Sequence, residues 1–136
     1  MDFYLDENNQ TSRLIKEWNE YGKIIIAYDF DDTVYDYHKK GRTFRNVINL
    51  LQECKKQGAY FIVFTACDKT KFDFIKKYLK LNNIPFDKIN EQAPFVPFSG
   101  RKIYYNILLD DRAGLPSSYR TLKDALTVIK KQENKV

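Results

Sequence analysis

AYDFDDTVYD, residues 27–36, decides the fold, because it sets Asp29, Asp31 and Asp32 directly after an apolar run, KIIIAYD (23–29). A carboxylate at the edge of a core is costly unless it is paired or faces a cation. The run itself is apolar and β-rich at successive positions, the pattern of a strand covered on both faces, as in a parallel sheet. It is expected at the centre of that sheet, with the acids leaving its carboxyl end.

On either side of this strand the chain alternates between helix and strand. Leu14, Ile15, Trp18 and Tyr21 share one helical face over residues 11–21, with Thr11 or Ser12 as the cap and Gly22 as the stop. Phe44, Val47, Ile48, Leu51 and Cys54 repeat the helical spacing until Gly58. AYFIVFT (59–65) is a second buried strand, and a third helix follows with Phe72, Ile75 and Leu79 inward, capped by Thr70 with Asp73 three residues on. NNIPFDKIN (82–90) reads as a turn with a short strand, and EQAPFVPFSG (91–100) as a loop. IYYNILLDD (103–111) gives another strand, and Leu122, Ala125, Leu126 and Ile129 mark a closing helix. Strands joined by single helices imply βαβ crossovers. The expected fold is therefore α/β: a Rossmann-like, three-layer α/β/α domain over residues 1–136, with an open, mostly parallel sheet.

Composition agrees with one packed domain. The chain has 136 residues, 43% of them hydrophobic with ten Phe and ten Tyr, which excludes disorder. Its net charge of +5 favours anionic partners, but the charge is spread out and forms no long basic run. Cys54 and Cys67 lack metal-ligand spacing and read as reduced thiols of a cytoplasmic protein. The start, MDFYLDENNQ, has no signal-peptide apolar region, and no stretch approaches a membrane span, so no membrane partner is expected.

In open parallel sheets, ligands bind beyond the carboxyl ends of the strands, where the strand order reverses. Those ends carry Asp29, Asp31 and Thr33 on the first strand, Thr65 on the second, and Asp110 and Asp111 on the last. Carboxylates converging from distant stretches repel one another unless a hard cation lies between them, and an all-oxygen set with a substrate phosphate suits Mg²⁺. Thr65, Lys102 and the backbone N–H groups of the bend after Asp29 are candidates to hold phosphoryl oxygens. One carboxylate attacking phosphorus while a second moves protons amounts to phosphoryl transfer through an aspartyl-phosphate.

These motifs resemble the haloacid dehalogenase (HAD) superfamily of phosphohydrolases over about residues 23–125. DFDDT matches its first motif, D-x-D-x-T, FIVFTA the second, Lys102 in GRKIYYNILLDD the third, and LLDDR the acidic fourth. The resemblance implies that Asp29 is the nucleophile and Asp31 the general acid/base, with the Asp31 carbonyl also on the metal. It further implies that Thr65 and Lys102 bind phosphate, and that Asp110 is the main metal ligand with Asp111 as an additional or supporting one. Two positions depart from the pattern. Asp32 stands where glycine is usual, and Lys102 is only eight residues before Asp110, so Arg101 and Lys88 remain alternatives to it. The intervals between motifs hold no cap domain, which implies a capless member with an open site rimmed by VYDYHKKG (34–41) and APFVPFSG (93–100).

The lysine ahead of the DDR turn is similar to that of 5'(3')-deoxyribonucleotidase-like members, which implies a phosphorylated small molecule, first a nucleotide and second a nucleic-acid end, with a sugar phosphate or other phosphorylated metabolite and a phosphoprotein as further alternatives. Asp31 disfavours a dehalogenase. A signalling receiver would place its acid pair and phosphoacceptor in another order, and a non-catalytic phosphate-binding module would dispense with Asp29 and Asp31 together. Singly, each feature has a plain explanation: turn-forming Asp and Thr, a strand-end hydroxyl, a solvated lysine. His38 reads as a solvated loop residue, Cys67 as an inert thiol, and Tyr35, Tyr37, Phe95 and Phe98 as packing before stacking on a base. The sequence leaves the oligomeric state and the role of the first helix open.

Overall fold

A computed structural model describes residues 1–133. Its elements run α1 (Glu7–Tyr21), β1 (Ile25–Asp29), α2 (Arg45–Lys56), β2 (Tyr60–Phe64), α3 (Phe72–Leu81), β3 (Lys88–Ile89), β4 (Ile107–Leu109) and α4 (Leu115–Glu133), with 3-10 turns at Phe3–Leu5 and Lys69–Lys71. The four strands pair in the order β3-β2-β1-β4, every pair parallel. This is the expected Rossmann-like α/β class. The chain steps from β1 to β2 to β3 in one direction and then returns to the far side of β1, so the order reverses between β1 and β4.

Strand alternation divides the core in two. Ile26, Tyr28, Phe61, Val63, Ile107 and Leu109 belong to the larger cluster, which takes in buried side chains from all four helices: Leu14 and Trp18 of α1, Leu51 and Cys54 of α2, Ile75 and Leu79 of α3, and Leu122 and Ala125 of α4. Ile25 and Ile62 alternate to the other face and meet Ala93, Val96, Ile103, Tyr104 and Tyr105. The layer on this second face is thus the helix-free segment 91–105. Pro94 and Pro97 lack the N–H groups that a helix would need, and Gly100 adds backbone freedom.

The boundaries differ from expectation where a polar side chain intervenes. α1 begins a turn early because Asp6 caps it, accepting from Asn8 N at 2.9 Å, while Thr11 lies inside the helix and donates to the Glu7 carbonyl. Asp68 rather than Thr70 caps the turn before α3, accepting from Thr70 N at 2.9 Å. β4 spans only Ile107–Leu109 because Ile103, Tyr104 and Tyr105 pack on the second face. Asn106 closes that detour: its backbone N–H donates to Ile25 O (2.9 Å), and its side-chain oxygen accepts from Ile25 N (2.6 Å). Gly22 ends α1 in the left-handed conformation, at φ 73°, as its position suggested.

Among the described residues, no helix is long and apolar enough to cross a membrane. Leu51 is fully buried between α2 and the sheet. Leu51→Ala is expected to cost about 2–5 kcal/mol of stability, read from the urea midpoint at unchanged slope.

Candidate functional site

The ladder on β1 runs to its last residue, Asp29, which is in register with Phe64 of β2, and Phe30 N extends it by donating to Phe64 O at 3.2 Å. The chain then folds back on itself. Val34 N and Tyr35 N both donate to Phe30 O, and Asp32 N donates to Tyr35 O at 2.8 Å. This closure requires a left-handed residue at position 32, where φ is 61°. Aspartate tolerates that region better than most non-glycine residues, so the bend forms without the usual glycine.

Thr33 ties this bend to the end of β4. Fully buried, its hydroxyl accepts from Asp111 N at 3.1 Å and donates to Asp111 Oδ1 at 3.2 Å. The turn at β4 is stiffened locally, with Asp110 Oδ1 accepting from Arg112 N at 2.9 Å. Carboxylate oxygens of Asp29, Asp110 and Asp111 consequently lie within 4.8 Å of one another. Two stretches about eighty residues apart in sequence thus meet where the strand order reverses.

Crowding of like charge shows in the electrostatics. Burial first, then a hydrogen bond with Asp111, then the charges of Asp110, Asp111 and Asp31 push the Asp29 carboxyl up to about 7. Asp31 is also raised, by burial and by the charges of Asp32 and Asp111, with His38 opposing. The Asp31 side chain lies outside the three-acid group but close enough for its charge to act on Asp29.

The remaining expected residues stand at different distances from this centre. Thr65 follows Phe64 at the end of β2, on the same rim as Asp29, and its hydroxyl accepts from Cys67 N at 3.1 Å. Asn90, the residue after β3, grips its backbone, accepting from Thr65 N (3.0 Å) and donating to Thr65 O (2.8 Å). Lys102 is exposed and lines a groove with Phe98, Tyr104 and Tyr105, a groove to which no residue of the acidic group contributes. Lys88 faces Glu91 at 3.7 Å, and Arg101 is exposed in the same segment as Lys102.

Three residues do more than their sequence context indicated. Thr33 is a clamp between strand ends, Asn90 fixes Thr65, and His38 Nδ1 lies 3.0 Å from Asp32 Oδ2 instead of standing free in its loop. The D-x-D-x-T spacing carried the first signal. The Asn90 contact bridges segments whose meeting only the fold determines, and the His38 contact forms within one flap, through the bend at Asp32. The aromatic expectations divide as well: Tyr35 is packing, stacked on Phe30 at 4.9 Å, whereas Tyr37 and Phe98 are more than half exposed.

The donor set fits a hard cation: it consists of carboxylate oxygens, gathered at a separation that disfavours full ionisation without a counter-charge. Asp29, Asp110 and Asp111 would hold it.

No family model and no curated protein matches the chain. Among solved structures, a conserved protein from Bacteroides thetaiotaomicron is similar, with a TM-score of 0.60 and 22% identity over 75% of this chain and 91% of that one. This likeness shows the fold.

The raised carboxyl has a signed consequence for stability. Between the ordinary carboxyl value near 4 and about 7, the folded state holds a proton that the unfolded chain has released, so stability falls as pH rises through this window. In chelator, urea midpoints of the wild type are expected to decline from pH 5 to pH 8. Asp29→Asn should flatten that decline and be the more stable protein at pH 8; an unchanged slope would refute the crowding.

Proposed function

We propose that the chain is a Mg²⁺-dependent phosphomonoesterase that works through an aspartyl-phosphate on Asp29. The observation that carries the reading is the meeting of Asp29, Asp110 and Asp111 at the strand-order reversal, with Asp31 beside them and Thr65 on the same rim. Bound Mg²⁺ would offset the carboxylate charge and draw phosphoryl oxygens toward the cluster.

Within this reading, Asp29 attacks phosphorus while Asp31 delivers a proton to the leaving oxygen; Asp31 then takes a proton from the water that hydrolyses the acyl-phosphate. The raised affinity of Asp31 for a proton suits a group that must alternate between acid and base. The Thr65 hydroxyl, on the same rim as Asp29, would meet a phosphoryl oxygen, and the Thr33 clamp would keep nucleophile and metal ligands in register. The substrate class is a phosphorylated small molecule, a nucleotide first, or a nucleic-acid end.

The flap favours an open site. Asp36 closes it on itself, accepting from Lys40 N (3.2 Å) and Gly41 N (2.8 Å), and only this flap, α2 and β2 separate Thr33 from Thr65. Lys39, Lys40 and Arg42 stand exposed around it and suit an anionic substrate. A second reading, a phosphate- or nucleotide-binding module without turnover, draws on Lys102 lining a groove to which none of the three acids contributes.

Phosphate release from nucleoside monophosphates, phosphorylated oligonucleotides and an aryl phosphate separates the two. Release that requires Mg²⁺, and falls on the order of 10³-fold or more in Asp29→Asn, is expected for the enzyme. Metal-dependent binding without release from any substrate would select the module. Thr33→Val, which leaves Asp111 N–H and Asp111 Oδ1 without their partner, is expected to cost about 1–3 kcal/mol of stability and to weaken Mg²⁺ binding.

A further inference from the structure

The helix-free face carries an aromatic groove that the acidic site does not use. At the amino end of β1, a cavity of ≈ 300 Å³ is lined by Tyr21, Lys23, Ile25, Phe95, Phe98 and Tyr104, among others. A wider depression of ≈ 600 Å³ continues from it, sharing Phe98 and Tyr104 and reaching Tyr105 and Lys102. The rings are presented outward: Tyr21 is 67% exposed, Phe95 45% and Phe98 51%.

A cation stands in each part. Lys23 Nζ lies 3.8 Å from the centroid of the Phe95 ring, and neither it nor Lys102 has a carboxylate partner among the described residues. Two nearby acids are already engaged, Glu17 accepting from Asn106 Nδ2 at 3.0 Å and Glu91 facing Lys88. The groove therefore presents flat apolar rings between positive charges. A ligand that fits has planar faces between negative charges, and it is longer than one ring.

The groove also lies on the sheet face to which Asp29 belongs. Ile25, Ala27 and Asp29 alternate to that side, Ile25 lines the cavity, and the Tyr105 ring meets Phe64 at 5.8 Å one strand over from Asp29. Ile25 and Asp29 are four residues apart, about 13 Å at the rise of a strand. A free mononucleotide bound through its phosphate at the acids would not reach the far cavity, whereas a chain of nucleotides would.

We infer that this groove binds single-stranded nucleic acid, bases stacking on Phe95, Phe98 and Tyr104 and backbone phosphates meeting Lys23 and Lys102, so that a strand end is led to the acidic rim. The last clause rests on the phosphomonoesterase reading; the groove itself does not. Stacking platforms interleaved with cations bind single strands with little sequence preference and with strong salt dependence. A duplex keeps its bases stacked on one another and offers the rings nothing.

The test is fluorescence anisotropy with a labelled, unphosphorylated 12-nucleotide oligothymidylate in chelator, against a duplex of equal length. Saturable binding is expected, about tenfold or more tighter for the single strand, and weakened about tenfold or more in Phe98→Ala and in Lys23→Gln. Both side chains are exposed, so both variants should keep the wild-type melting temperature and aryl phosphate hydrolysis. Equal affinity for the duplex, unchanged affinity in both variants, or no saturable binding would each overturn the groove as a strand site. Strand binding that survives while no substrate releases phosphate would remove the enzyme reading and leave the groove standing. Aryl phosphate hydrolysis without strand binding would do the reverse.

Discussion

β1 is hydrogen-bonded along both edges, to β2 over Ile25–Asp29 and to β4 over Ile26–Tyr28, and the rest of the molecule is arranged by that double ladder. A strand held on both sides and covered on both faces has no freedom to slip, because a shift of one residue would exchange its two sets of side chains. Its carboxyl end is therefore a fixed point. Asp29 is delivered to one place on the rim, and the bend that follows is built against Phe30 and Tyr35 rather than left to solvent. Thr33 carries the constraint across to β4, so that Asp110 and Asp111 inherit their positions from the same strand.

The site that results is one of opposed requirements. Packing brings three carboxylates together, and burial, followed by their mutual repulsion, raises the proton affinity of Asp29. A protein selected for stability alone would replace one of them with a neutral residue. Keeping all three costs stability, the trade expected of functional sites, and a bound cation would offset that cost.

Much of this was legible in the sequence, for identifiable reasons. The runs 23–29 and 59–65 are apolar on both faces, which marks central strands, and the first of them ends in the acids Asp29, Asp31 and Asp32. Helical periodicity located α1, α2, α3 and α4, while α1 starts a turn before the periodic stretch because Asp6 caps it, and Asp68 caps the 3-10 turn that leads into α3. The strand expected over 103–111 shrank to three residues because apolarity cannot tell a ladder from a segment packed across a sheet. Lys102 is assigned to phosphate by the motif resemblance, against a spacing to Asp110 that is short for the pattern. Its backbone belongs to that crossing segment, which turns it toward the groove. Thr33 and Asn90 act over separations of 78 and 25 residues, and no local pattern encodes such contacts.

The two faces of the sheet also differ in how they are fastened. Helices on one side close their own backbone bonds and nest into a continuous cluster, whereas 91–105 lies on the other side with few ladder bonds and holds through Ala93, Val96, Ile103 and the side-chain amides of Gln92 and Asn106. Such a cover detaches at lower free energy than the sheet beneath it. Backbone amides of 94–101 would exchange with solvent through local opening, long before those of β1, which wait for the whole molecule to unfold. The fold thus separates a rigid acid-bearing rim from a surface that can yield, and a ligand spanning both would slow the exchange of one without altering the other.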